Sequence, residues 1–434
     1  MGNTRRATAL TPAPAIKEHI VTFSLELTEE QEQARKWAHD FAKGEMRERQ
    51  VEGLPAHRYY DEVEEFPWDT VKKAYEVGLY GFDYYAMSGQ DPSGITNALI
   101  TEELFWGCAG MGLAIFGSGL ALAGLASAGT PDQFNEWAPR IFGTVDDVKV
   151  GAYAVSEPGA GSDVSKIRTK ATKVDGGWLL NGEKIWITNG GIADVHIVVA
   201  TVEPGLGHRG QASFIVTSDA EGFSQTNKTK KLGIRASHTA ELAFQDCFVP
   251  DEQLLGGQEK LDAKIDRAKN PDKAKSSSKS GALSTFEATR PLVGIQAVGV
   301  ARAALDASIQ YAMERETFGV PIVRHQGISF KLAEMATEVD AARLLCWRGI
   351  NMGSTQSPFK YAEGSMAKYH AGKTAVHVTD EAIQVFGGFG YSREFDVEKF
   401  HRDAKIYEIF EGTKEIQKLV IGRAIARHHG GQAA

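Results

Sequence analysis

Between residues 148 and 255 the sequence leaves helical spacing for short β-rich runs divided by turn residues, and after about residue 285 the helical spacing returns. No helical period separates the runs. They therefore cannot build an alternating strand–helix array, and an antiparallel sheet or barrel is expected instead. Residues 173–187 hold Asp175-Gly176 and Asn181-Gly182, each between apolar runs, a strong short-range hairpin signal. Residues 196–202, 212–217 and 239–244 add further strands. On the N-terminal side, residues 27–42 read as a helix with Thr28 as N-cap and Gln31 completing a capping box. More helix follows to about residue 128. On the C-terminal side, residues 330–346 place Leu332, Met335, Ala336, Val339, Ala342 and Leu345 on one face, as a bundle helix requires.

The expected architecture is α+β and multidomain. A flexible segment (1–26) precedes an N-terminal helical domain (27–147), a central antiparallel β-barrel or sheet domain (148–255), a charged insertion (256–284) and a C-terminal helical bundle (285–434). A chain of 434 residues has room for three domains of about 150 residues each. The net charge of −8 supplies no global basic field, so no nucleic-acid partner is expected. Cys108, Cys247 and Cys346 lack the paired spacing of a zinc site or disulfide framework, so they read as buried apolar residues in a reducing compartment, with no metal site. The first ten residues carry charge with no apolar run behind them, and no stretch is expected to reach the ~20 apolar residues of a membrane span. A bacterial-type cytoplasmic location is expected, with the mitochondrial matrix left open.

Two stretches are set aside. Gly205-Leu-Gly-His-Arg-Gly210 matches a dinucleotide fingerprint, but no helix opens from it to receive a phosphate, so it reads as a loop. Residues 256–281 carry Lys260, Lys264, Arg267, Lys269, Lys273, Lys275 and Lys279 against Glu259, Asp262, Asp266 and Asp272. With so few large apolar groups, this segment is expected to be a mobile surface insertion, or else a clamp for an anionic ligand.

Four stretches carry chemistry. In residues 403–417, Glu411 stands among Ile406, Ile409 and Phe410 and is followed by Gly412. Apolar company disfavours the charged carboxylate and raises its pKa toward the range useful to a base, while a solvated helix position is the plainer reading. In residues 153–163, Pro158, Gly159 and Gly161 shape a tight loop with Ser156 and Ser162 as donors, suited to wrapping a cofactor. Trp186 and Thr188 are two residues apart, hence on one side of a strand, where they suit a flat ring system. Residues 384–391 cluster Gly387, Gly388 and Gly390 at the end of a helical run, which permits close backbone approach. The glycines of 116–124 read as close packing between helices.

These motifs, with Arg315-Glu-Thr-Phe-Gly319, His325-Gln326 and Tyr407-Glu-Ile-Phe-Glu-Gly-Thr413, resemble the FAD-dependent acyl-CoA dehydrogenases in order and over nearly the whole chain, from about Leu27 to His428. The resemblance implies a C-terminal four-helix bundle and a homotetramer. It implies that Tyr153, Val155, Ser156, Ser162, Trp186, Thr188, Thr413 and Glu415 contact FAD, with Thr188 near flavin N5. Arg315, Phe318, Gln384, Gly387 and Gly388 would hold the ADP part across a subunit interface. Ser162, Glu287, Arg290, Phe410 and Gly412 would bind acyl-CoA, with Ile115, Phe116 and Leu120 lining the acyl pocket. Asp is common in the family where Glu287 stands. Some relatives carry the base at the position of Thr289, which cannot serve, so Glu411 is the catalytic base implied. It would remove an α-proton while a β-hydride leaves to flavin, giving a trans-2-enoyl-CoA, with the thioester oxygen held by the Glu411 backbone N–H and a ribityl hydroxyl. Electrons would pass to an electron-transfer flavoprotein. An acyl-CoA oxidase using O₂, a flavin hydroxylase, and a non-catalytic acyl-CoA- or flavin-binding subunit are the alternatives.

Overall fold

The structure, a computed structural model, describes residues 25–270 and 281–430, with side chains from residue 289 onward in the second stretch. Helix α1 (Glu29–Phe41) begins where expected. Thr28 Oγ1 accepts from the Gln31 N–H at 3.2 Å, and Gln31 Oε1 accepts from the Thr28 N–H at 3.0 Å. A short ribbon of β1 (Gln50–Val51) and β2 (Leu54–Pro55) follows, then α2 (Ala56–Val63), α3 (Trp68–Glu76), α4 (Phe82–Ser88), α5 (Ile95–Gly107), α6 (Ala109–Phe116), α7 (Ser118–Ala128) and α8 (Pro131–Phe142). The N-terminal helices thus run past residue 128, and α8 opens on a second capping box, Thr130 with Gln133.

Two stretches correct the membrane expectation on composition alone. Ala109–Ala128 and Thr289–Glu314 are long and apolar enough to span a bilayer, but 72% and 61% of their apolar windows are buried inside the fold. They are core helices.

The middle domain is a seven-stranded sheet of β3 (Gly151–Ala154), β4 (Lys170–Val174), β5 (Gly177–Thr188), β6 (Val195–Thr201), β7 (Gln211–Thr217), β8 (Phe223–Lys228) and β9 (Thr239–Pro250). The order is β3-β6-β4-β5-β9-β8, with β7 paired to β6. Most pairs are antiparallel, yet β3 runs parallel to β6 and β4 touches β6 in parallel at one position, an arrangement the spacing of turns did not reveal. Asp175-Gly176 does turn the β4–β5 hairpin. Asn181-Gly182 does not turn; it lies inside β5, where the register against β9 slips between Leu180 and Gly182. The glycine is required there for a bulge, since its φ is +146° and a side chain would meet Thr169 at 2.7 Å. The fingerprint at 205–210 is a 3₁₀ segment running into β7, with no helix opening from it.

The charged insertion is not loose throughout its described part. Residues Gly257–Lys269 form α9. It buries Leu261, and Lys260 donates to the Ala128 carbonyl at 3.0 Å, Lys264 to the Gln211 carbonyl, and Lys269 to Glu203 at 2.6 Å. These cations anchor the helix to its own protein, an anchorage that a count of apolar residues misses. The remainder of the insertion up to residue 280, and the first 24 residues, lie outside the described residues.

The C-terminal domain packs α10 (Gly281–Glu314), α11 (Gln326–Ser354), α12 (Glu363–Phe386) and α14 (Lys414–His428) with the short α13 (Val397–Ala404); a ribbon of β10 (Glu316–Thr317) and β11 (Val320–Pro321) follows α10. Leu332, Met335, Val339 and Ala342 are buried, Leu345 is half-buried and Ala336 is exposed. Buried ion pairs clasp this domain to α5. Arg343 of α11 meets Glu102 bidentately at 2.9 Å, and Arg302 of α10 meets Glu103 at 2.8 Å.

Candidate active site

Glu411 lies in the turn between a 3₁₀ segment (Lys405–Glu408) and α14, beside the N-cap Thr413, whose hydroxyl accepts from the Ile416 N–H at 3.3 Å. Its φ is +53° and that of Gly412 is +92°, two successive left-handed residues. At Gly412 this conformation demands glycine, and an added side chain would meet Gln417 Nε2 at 2.6 Å. Backbone conformation and the contact with Gln417 thus both call for glycine at this position.

Burial pushes the Glu411 carboxyl above its ordinary pKa, and the charges of Lys368 and Arg290 pull partly against that shift. Arg290, in the first third of α10, is buried and donates to Ser365 of α12 at 2.8 Å. Lys368, also on α12, is buried, and burial lowers its pKa to about 8 despite the nearby Glu411. Tyr153, on β3, has its phenol raised by burial first and by the Glu411 charge second. The base, Arg290 and the start of the 153–163 loop therefore come together at the junction of the middle and C-terminal domains. Phe410 is half-buried and packs edge-on against Tyr407 at 5.2 Å. The Glu287 side chain lies outside the described residues.

The loop after β3 is fixed by a buried ion pair. Lys184 Nζ donates to the Val155 carbonyl at 2.9 Å and to Glu157 Oε1 at 2.7 Å. Burial lowers the Lys184 pKa to about 8, with Glu157 opposing. Burial likewise works against the Glu157 charge, yet hydrogen bonds from Lys184, Thr169 and the Arg168 backbone hold it below the ordinary carboxylate range. Ser156 accepts from the Ile185 N–H at 2.9 Å through its carbonyl, while Ser162 is exposed at the loop's far side.

Trp186 and Thr188 do not follow simple strand alternation. Between Lys184 and Ile187 the register against β9 slips, Trp186 takes φ +61°, and its indole is 63% exposed. Thr188 is half-buried against the break between α6 and α7, since a side chain at Gly117 would meet Thr188 Cγ2 at 2.9 Å. Phe116, next to that break, is braced by Phe105 at 6.3 Å and Tyr84 at 5.5 Å. Ile115 is buried and Leu120 half-buried.

A second set of residues stands apart. Arg315 covers the ring of Phe389 at 5.5 Å, which joins it to the turn following Gln384. Gln384, Gly387 and Gly388 are exposed, and a side chain at either glycine would meet nothing within 4 Å. Phe318 is 96% exposed with φ +53°. Arg290 lies in the first third of α10 and Arg315 just past its C-terminus, roughly 38 Å apart at 1.5 Å per residue. One chain does not bring the Arg315 set to its own Glu411. Glu415 is exposed in the first turn of α14.

Lys368, Gln417, Lys184 and Glu157 were missed by the sequence reading. The signal for Lys368 was a lone cation in the small-residue run Gly364, Ser365, Ala367, Ala371 and Gly372, all buried in the fold.

A helical domain, a curled sheet and a helical bundle that meet at a desolvated carboxylate have the architecture of a flavin-linked oxidoreductase. Three family profiles match in order: acyl-CoA dehydrogenase N-terminal domain over residues 28–143, middle domain over 152–247 and C-terminal domain over 280–426. The mitochondrial short-chain specific acyl-CoA dehydrogenase of Rattus norvegicus is 36% identical over 413 residues, covering 95% of this chain and 93% of the relative. The butyryl-CoA dehydrogenase of Megasphaera elsdenii superposes with a TM-score of 0.80 at 35% identity, covering 93% of this chain and all of that one. A structure described as the electron transferring flavoprotein of Acidaminococcus fermentans contains a chain with a TM-score of 0.80 at 31% identity. The chain belongs to the acyl-CoA dehydrogenase family. Members are FAD-dependent oxidoreductases acting on CH–CH donors, and the relatives named come from both mitochondria and bacteria.

Proposed function

We propose that this enzyme converts a short-chain acyl-CoA to its trans-2-enoyl-CoA, with Glu411 as the base and an electron-transfer flavoprotein as the electron acceptor. The observation that carries the reading is the half-buried Glu411 at the domain junction, its carboxyl pKa raised by burial while the charges of Lys368 and Arg290 oppose the shift and its own charge acts on Tyr153. FAD, when bound, supplies the two-electron acceptor that the dehydrogenation needs. The residues present fit it. The exposed indole of Trp186, held out by the β5 bulge, offers a flat apolar face, and Thr188 lies two residues on. Gly159 and Gly161 would meet nothing within 4 Å with a side chain added, which leaves the loop's backbone open to close approach.

The chain's own groups account for proton removal. Glu411 takes the α-proton, and its raised pKa brings it nearer to the acidity of that weak carbon acid than an exposed glutamate would be. Negative charge then grows on the thioester oxygen. Among the described residues the Glu411 N–H donates to no acceptor, so it is free to stabilise that charge. Arg290 and Ser162, with Gly412 and Phe410, bind the acyl-CoA and Glu287 assists. Phe116, braced by Phe105 and Tyr84 and next to Thr188, lines the acyl wall with Ile115 and Leu120, and the short-chain specific relatives support a short acyl chain.

Val155 and Ser156 with Thr413 and Glu415 complete the cofactor contacts. The distance along α10 supports a shared site in which Arg315, Phe318, Gln384, Gly387 and Gly388 serve a partner's FAD, and with it a homotetramer. An anaerobic panel of butyryl-, octanoyl- and palmitoyl-CoA tests the reading by flavin bleaching. Butyryl-CoA is expected to bleach fastest. Faster reduction by palmitoyl-CoA would overturn the short-chain assignment, and purified protein free of FAD would overturn the dehydrogenase.

A further inference from the structure

Two side chains outside the chemistry above grip the turn that carries the base. Gln417 of α14 is fully buried, and its Nε2 donates to the Glu411 carbonyl at 3.1 Å and the Gly412 carbonyl at 3.0 Å. Lys368 of α12 is buried, and its Nζ donates to the same Gly412 carbonyl at 2.8 Å. The gripped carbonyls belong to the two left-handed residues, Glu411 and Gly412. A non-glycine residue persists in that conformation only where its surroundings over-determine it. Burying an ammonium group is costly, and a single backbone carbonyl is a poor reward for it.

We propose that Lys368 and Gln417 are positioning residues that lock the Glu411 turn, and that the Lys368 ammonium doubles as the counter-charge of the catalytic carboxylate. The inference rests on the reading of Glu411 as base. The charged and titratable groups around it are consistent with this pairing. Glu411 faces Lys368 from α12, Arg290 from α10 and Tyr153 from β3, and Lys368 faces Glu411, Glu408, Glu415 and Arg290. Arg290 donates to Ser365, whereas Lys368 is committed to the turn itself.

The test uses FAD-loaded enzyme and the variants Lys368→Met, Lys368→Arg and Gln417→Leu. The readouts are FAD content, enoyl-CoA affinity by calorimetry, and the rate of anaerobic flavin reduction across pH. With Lys368→Met, FAD content and enoyl-CoA affinity are expected to hold, the rate to fall about tenfold, and the acidic limb of the rate–pH profile to move up by about one unit, as loss of a nearby opposite charge requires. Lys368→Arg and Gln417→Leu are expected to slow reduction with the limb unmoved. An unmoved limb in Lys368→Met overturns the counter-charge role, and an undiminished rate in Lys368→Met and Gln417→Leu overturns the positioning role. If Lys368→Met fails to load FAD, the other two variants decide: a wild-type rate or a moved limb in either overturns the proposal. Glu411→Gln is run alongside. Bleaching in Glu411→Gln overturns the base itself, while an inert Glu411→Gln beside a wild-type Lys368→Met overturns only this inference.

Discussion

Glu411 occupies a backbone conformation that costs a residue with a β-carbon about 1–2 kcal/mol. The cost is offset by the donors on its carbonyl and on that of Gly412, so the turn tolerates little change. Gly412→Ala adds a methyl group 2.6 Å from Gln417 Nε2 at φ +92°. It is expected to lower the flavin-reduction rate by about tenfold or more, while FAD stays bound, because misplacing a base by an ångström has that scale of effect. Stopped-flow reduction of the loaded variant checks this. The Glu411 shift also fixes two signs. Turnover needs the carboxylate, so the rate falls as pH drops through a pKa above the ordinary 4.5. The folded state holds this proton more tightly than the unfolded chain, so the residue's effect on stability is least harmful at low pH and stability is lost as pH rises through the raised value. Glu411 was legible in sequence because its apolar neighbours are adjacent in the chain. Lys368 and Gln417 were not, because they act on backbone carbonyls that the fold brings to them.

At the scale of elements, the bulged strand β5 carries both the exposed Trp186 and the buried Lys184 that anchors the loop after β3. Removing one partner of a buried pair leaves an uncompensated charge and costs about 3–5 kcal/mol. Lys184→Met is therefore expected to destabilise the protein by that order in urea unfolding and to weaken FAD binding, because Val155 and Glu157 lose their tether. Lys184→Met with Glu157→Gln is expected to recover part of the loss. The order of helices, sheet and helices was readable from periodicity, and the Thr28 capping box from four residues. The irregular features were not. Asn181-Gly182 has the composition of a turn, yet β9 pairs across it, and the contact with Thr169 decides in favour of a bulge. The parallel β3–β6 pair joins segments about forty residues apart, which no local pattern encodes. Helix α9 draws its order from lysines that find carbonyl partners on other elements, which composition cannot show.

At the scale of the whole molecule, the bidentate Arg343–Glu102 pair and the Arg302–Glu103 pair hold the N-terminal helices against the bundle, and the base lies where the bundle meets the sheet. The Arg315 set lies at the far end of α10. If each FAD is held by Glu411 of one subunit and Arg315 of its partner, two defective variants complement each other. Arg315→Glu is expected to purify poor in FAD, and Glu411→Gln to be inert. Unfolding and refolding them together is expected to restore about a quarter of wild-type activity, since random pairing rebuilds one in four sites with both wild-type groups. No restoration would place both residues in the site of one chain. The central claim, that Glu411 is the base of a flavin-dependent acyl-CoA dehydrogenase, is tested most directly by anaerobic butyryl-CoA reduction of FAD-loaded Glu411→Gln. The account predicts full FAD content, retained butyryl-CoA binding and no bleaching; bleaching at a rate near that of the wild type would contradict it.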